Sequence, residues 1–168
     1  MSQTYAVRRV ILPRWTDIQN VLGTLFMLYS QITAHLQTKG ELLLSGQFDR
    51  LMDSYVFPLP IFLHTSRLVV SAPDQACTVF EHLREALVGR GVVALRPKVS
   101  AIDLPRAGRF RVWVDWQEIA FPVEATRVSQ AVYYCRDTGI GLQTEMVSYT
   151  RLSMPELDRQ FAALALSA

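Results

Sequence analysis

The side chains with which this chain could do chemistry are few: three histidines, two cysteines and six tyrosines in 168 residues, among fifteen thinly spread carboxylates. His35 and His82 fall on separate helical stretches with sparse carboxylate neighbours, so no metal site is expected. Cys135 has no histidine beside it in the strand pairing read below, which leaves no activated thiolate. No catalytic signature stands out, and no cofactor is expected. What remains is acid and base chemistry. A carboxylate or imidazole desolvated in an apolar pocket acquires a shifted pKa, and a neighbouring tyrosine can donate to an oxyanion or enolate. Asp53 or His64 would be the base, and Tyr29 or Tyr55 the donor. Each has a plainer reading beside it: Tyr29 lies on the packing stripe of a helix, Asp53 can simply end one, and His64 stands at a strand start, where a surface imidazole is usual.

Bringing such groups together takes a scaffold, and the chain reads as three stretches. Residues 1–15 form an extended arm with apolar Tyr5, Val7, Val10, Ile11 and Leu12, a basic cluster of Arg8, Arg9 and Arg14, and Pro13 closing it. Residues 16–152 carry the body. Thr16 and Gln19 resemble a capping box, after which Ile18, Val21, Leu22, Leu25, Phe26, Tyr29, Ile32 and Leu36 recur at helical spacing until Gly40. A stripe that long needs a broad surface beneath it, and a sheet is the candidate. A short helix over 48–53 precedes Tyr55 to Leu63, which Pro58 and Pro60 mark as an edge strand, with 64–70 as its partner. Ser71, Pro73 and Asp74 open a third helix that Gly89 and Gly91 stop. From Val92 the period changes to two, giving strands over 92–104, 109–121, 127–136 and 142–152 joined by short turns, an antiparallel meander. Residues 153–168 form a terminal helix, with Ser153 and Glu156 as a capping box and Pro155 in its first turn.

This order of elements resembles the nuclear transport factor 2-like superfamily, over residues 16–152. The resemblance rests also on Asp53-Ser-Tyr-Val-Phe-Pro ahead of the first strand and on the paired long hairpins at the end. It implies an α+β fold in which a strongly curved antiparallel sheet wraps around the helices as a cone, a cystatin-like roll enclosing a pocket. The superfamily includes ketosteroid isomerases, dehydratases, polyketide cyclases and non-catalytic dimer modules, so the resemblance implies a fold and leaves the activity open. Many members have an acidic pair where this chain reads Asp53-Ser54, and no family catalytic set is carried over.

If the last hairpin turns at Thr138-Gly139, Cys135 faces Leu142, Tyr133 faces Thr144, Ala131 faces Met146 and Ser129 faces Ser148 on one side. With Trp116 on the preceding strand, Tyr133, Met146 and Ser148 would line the pocket and suit a small hydrophobic or aromatic ligand. Trp113, Tyr134, Val147 and Tyr149 then share the other face, an apolar patch whose simplest cover is a second copy, so a homodimer is expected through it. The C-terminal helix or the N-terminal arm is the alternative cover.

Half of the residues are hydrophobic and 19% are charged, the balance of a soluble globular domain. A formal net charge of +2 with scattered arginines gives no nucleic-acid footprint. The apolar run from Val21 to Ile32 is too short and too interrupted to span a membrane. No secretory signal is evident and no disulfide framework follows from Cys77 and Cys135, so a cytoplasmic setting is expected. Three readings of function stand: a ligand-binding cone domain, an isomerase, dehydratase or cyclase in the same pocket, and a module whose interior is filled.

Overall fold

The computed structural model describes residues 15–122 and 126–166. The arm expected over 1–15 therefore lies outside the described residues, apart from Trp15, which begins α1 (Trp15–Ser45). Gly40 does not end this helix. A Cβ there would meet Leu95 Cβ and the Trp116 ring at 3.2 Å, so the glycine lets the helix axis press against the sheet, and the chain turns only at Gly46, with φ +72°. The stripe of α1 is buried from Ile32 onward, whereas Phe26 is 72% exposed. Helix α2 (Phe48–Met52) then leads to β1 (Leu59–Phe62), β2 (Arg67–Val70) and α3 (Pro73–Gly89). The long meander follows as β3 (Val92–Ile102), β4 (Arg109–Ala120), β5 (Arg127–Asp137) and β6 (Leu142–Arg151), and α4 (Glu156–Leu166) closes the order.

Six strands form one curved sheet in the order β2-β1-β6-β5-β4-β3. The expected edge strand is therefore interior: β1 lies between β2 and β6, and β2 is the edge. Pro60 is tolerated because β1 pairs with β6 only beyond it, in parallel at Ile61 and Phe62. On β4 the alternation is clean, with Phe110, Val112, Val114, Trp116 and Glu118 buried against the helices. Asp158 ties α4 to the β1–β2 turn, accepting from Thr65 N at 3.0 Å, Thr65 Oγ1 at 2.6 Å and Ser66 Oγ at 2.6 Å, and these bonds hold its pKa below the ordinary value.

The last hairpin departs from the expected register. Asp137 pairs with Leu142 and Cys135 with Thr144, a shift of two residues that leaves the faces unchanged. A bulge at Glu145 then adds one residue to β6, so that Tyr134 pairs with Met146, Tyr133 with Val147 and Ala131 with Tyr149. One extra residue exchanges the faces of everything beyond it. Val147 and Tyr149 point inward, and Met146 and Ser148 outward. Glu145 itself is held by Arg109, with Nε and Nη2 at 2.9 and 3.1 Å, and by Arg136 at 3.6 Å.

Gly91, between α3 and β3, has φ +74°, and a Cβ on it would lie 2.8 Å from the Phe121 carbonyl oxygen. Its own carbonyl accepts from Phe121 N at 2.9 Å, so the close approach is part of the β3–β4 ladder. Gly91→Ala should cost about 2 kcal/mol from the left-handed conformation and the clash together. Urea denaturation would read this as a lower midpoint with an unchanged slope.

Candidate functional site

The inner face of the sheet and the helices enclose a cavity of about 70 Å³. One water needs roughly 10–15 Å³ of such space, so several waters fit, whereas a benzene-sized ring takes about 150 Å³ and enters as wall side chains move aside. Its walls are mostly apolar: Leu43 from α1, Phe80, Leu83 and Leu87 from α3, Leu95 from β3, and Leu157 with Phe161 from α4. Three sets of polar groups interrupt them.

The first set centres on Lys39. It shares the buried stripe of α1 with Ile32, Leu36 and Leu43, so the packing that buries those side chains carries the amine inward, to 4% exposure. Nζ donates to Thr144 Oγ1 at 2.8 Å and stands 3.8 Å from the Tyr55 ring centroid and 5.3 Å from that of Tyr133. The geometry is fixed by backbone pairing, because Val56 N donates to Thr144 O at 2.9 Å and Thr144 N to Ser54 O at 2.8 Å, which clamps Tyr55 beside β6. The Tyr55 ring also packs on Phe80 at 5.2 Å. Among the described residues no carboxylate pairs with Lys39. Burial lowers its pKa to about 7, opposed weakly by Cys135.

The second set is a relay of aromatic donors. Trp116 Nε1 donates to the Tyr133 hydroxyl at 2.9 Å, and Tyr149 lies on the same wall. Burial pushes both phenols up, Tyr133 well above its ordinary value, so each keeps its proton at neutral pH. The third set centres on Glu118, 5% exposed. Oε1 accepts from the Ser153 hydroxyl, which accepts from Ser129 Oγ at 3.0 Å. Ser153 therefore serves the carboxylate, and the expected capping box is not what engages its hydroxyl. Oε2 accepts no hydrogen bond, because the Arg90 guanidinium stands 3.8 Å away, near enough to attract and too far to bond.

Of the residues singled out in the sequence, Tyr55, Tyr133 and Trp116 meet on this cavity. Asp53 is exposed beyond the end of α2, in an outer cleft shared with His35, Ser54 and Leu142. His35 there has a buried Nε2 without a partner, and desolvation with the Lys39 charge lowers its pKa to about 4. His64 is exposed in the β1–β2 turn, and Tyr29 is 43% exposed farther up α1. Met146 and Ser148 lie on the outer face for the reason given above. Lys39, Glu118 and Tyr149 went unread. Lys39 falls on the i, i+4, i+7 stripe with Ile32 and Leu36, and Glu118 continues the alternation two residues past Trp116, so both had a signal. Tyr149 had none, because the bulge decides its face.

The fold recurs in solved structures. An NTF2-like protein with a cystatin-like fold from Novosphingobium aromaticivorans is 16% identical, with a TM-score of 0.58 over 88% of this chain and 98% of that one. This is the nuclear transport factor 2-like fold. An NTF2-like protein of unknown function from Shewanella oneidensis MR-1 is 12% identical, with a TM-score of 0.57 over 72% of this chain and 97% of that one. A scytalone dehydratase-like protein, also from N. aromaticivorans, is 10% identical, with a TM-score of 0.53 over 78% and 88%. No family model and no curated protein matches the sequence. At these identities the nuclear transport factor 2-like fold is what is shared, and activity must be argued from the site. Among the described residues no helix is long and apolar enough to cross a membrane, and no three His, Cys, Asp or Glu side chains gather as metal ligands.

Proposed function

We propose that this chain binds one small molecule in the cavity, with an aromatic or aliphatic body against the leucines and phenylalanines and a polar head among Glu118, Tyr149 and Lys39. The observation that carries this is the Glu118 carboxylate. A buried oxygen without a hydrogen bond costs about 1–3 kcal/mol or more, and a ligand donor at Oε2 recovers it. Benzyl alcohol, one ring with one hydroxyl, is the simplest probe. At ten times its Kd it should stabilise the folded protein by about 1.4 kcal/mol, read as a rise in unfolding midpoint. Leu87→Phe, which fills the cavity from α3, should remove the effect while the variant stays folded. Equal stabilisation of both proteins, or of neither, would sink the reading.

Acid–base turnover is the second reading, and the same oxygen favours it. Its base would be Glu118, with Tyr149 as donor, because Asp53 and His64 stand away from the cavity. Pairing of two copies across the outer sheet face is also part of the proposal. The patch for it is now Trp113, Tyr134 and Met146, since the bulge has taken Val147 and Tyr149 inside.

A further inference from the structure

We propose that Lys39 is an imine-forming amine, and that the cavity takes a small aldehyde or ketone whose carbonyl carbon it attacks. The proposal deepens the ligand-binding reading and rests on it. Its first support is how this chain uses lysine. Seventeen basic residues include only two lysines, Lys39 and Lys98, so surface charge is left almost wholly to arginine. One of the two is buried, on a cavity wall. Its second support is the company the amine keeps. Arg109 and Arg111 each have a carboxylate within 3 Å, yet Lys39 faces a threonine hydroxyl, two tyrosine rings and a cysteine thiol. A buried ammonium kept for structure is ordinarily paired with a carboxylate, because desolvating it alone is expensive.

An amine left unpaired sheds its proton more readily, and burial brings this one to about pKa 7. A desolvated neutral lysine is a nucleophile toward carbonyl carbon. Nζ forms the new C–N bond, its proton passes to the carbonyl oxygen to give a carbinolamine, and loss of water leaves the C=N bond. Addition and dehydration balance without an oxidant or reductant. The Tyr133 and Tyr149 phenols on the same wall remain protonated and can donate to the oxygen that leaves.

The full-length protein with benzaldehyde and cyanoborohydride at pH 7.5 tests this, the reductant fixing the imine as a benzylated amine located by peptide mass spectrometry. Exposed Lys98 is an internal reference in the same molecule. An ordinary exposed lysine is only about a thousandth neutral at that pH. Benzylation of Lys39 at least ~10-fold above Lys98 is therefore expected, with competition by benzyl alcohol. Labelling of Lys98 and the N-terminus with Lys39 untouched overturns the proposal. If benzyl alcohol still stabilises the protein in that case, ligand binding stands and only the imine falls; if it does not, both fall. The readout needs no variant. Lys39→Arg, which keeps the cation, should lose the adduct at position 39.

Discussion

Between pH 7 and pH 9 the folded protein should become more stable by roughly 2 kcal/mol, the reverse of what most neutral-pH proteins would show. The cause is Lys39. In the unfolded chain its amine holds a proton up to its ordinary pKa, whereas in the folded protein burial has lowered that value to about 7. Over this interval the unfolded state binds the extra proton, so raising the pH favours the folded state. Below pH 7 Lys39 is protonated in both states and its own share of the slope vanishes, while His35, lowered to about 4, makes stability fall further as the pH drops below the ordinary histidine value. Above pH 9 the trend reverses, because the Cys135 thiol and the Tyr55 and Tyr133 phenols, all raised by burial, ionise more easily once unfolded. Urea midpoints at successive pH values would trace the rise, and Lys39→Met should flatten it. A wild-type profile as flat as the variant's would mean that water reaches the amine and that it stays charged.

Phe161→Ala should lower stability by about 3–4 kcal/mol, the range for emptying a buried aromatic site. For a domain of this size that is about 10 °C in Tm. Phe161 is 4% exposed and forms the cavity wall together with Leu157, so the deletion both loosens α4 and joins its volume to the existing hollow. The variant should therefore accept a larger aromatic than benzyl alcohol, such as a fused bicyclic alcohol, and regain part of its midpoint on binding it. Phe161→Leu should lose only about 1 kcal/mol and show no such gain. Calorimetry of both variants with and without the bicyclic probe separates the two effects.

The elements and their order could be read from the sequence because each rests on local signals. Period two is unbroken from Phe110 to Glu118, and Gly46 and Gly91 supply the positive φ their turns need. Trp116 and Tyr133 were legible as site residues for the same reason, since the β4–β5 ladder that carries both has no register shift. What could not be read is long-range. The bulge at Glu145 follows from its clasp by Arg109 and Arg136 across two strands, and no pattern in β6 alone announces it. The interior place of β1 likewise depends on a partner far along the chain. Asp53 and His64 had the right chemistry for a base, but a carboxylate just past a helix end and an imidazole in a hairpin turn are where the chain meets solvent.

The parallel contact of β1 with β6 joins Ile61 to Val147, so the first hairpin of the sheet finds its neighbour only when the final strand has been made. During synthesis β1 and β2 must wait with one flank of backbone amides and carbonyls unpaired, and closure of the sheet is a late, non-local event. A ribosome-bound chain halted before residue 142 should thus carry a sticky strand edge and attract chaperones, a vulnerability that disappears within a single hairpin's length of further translation.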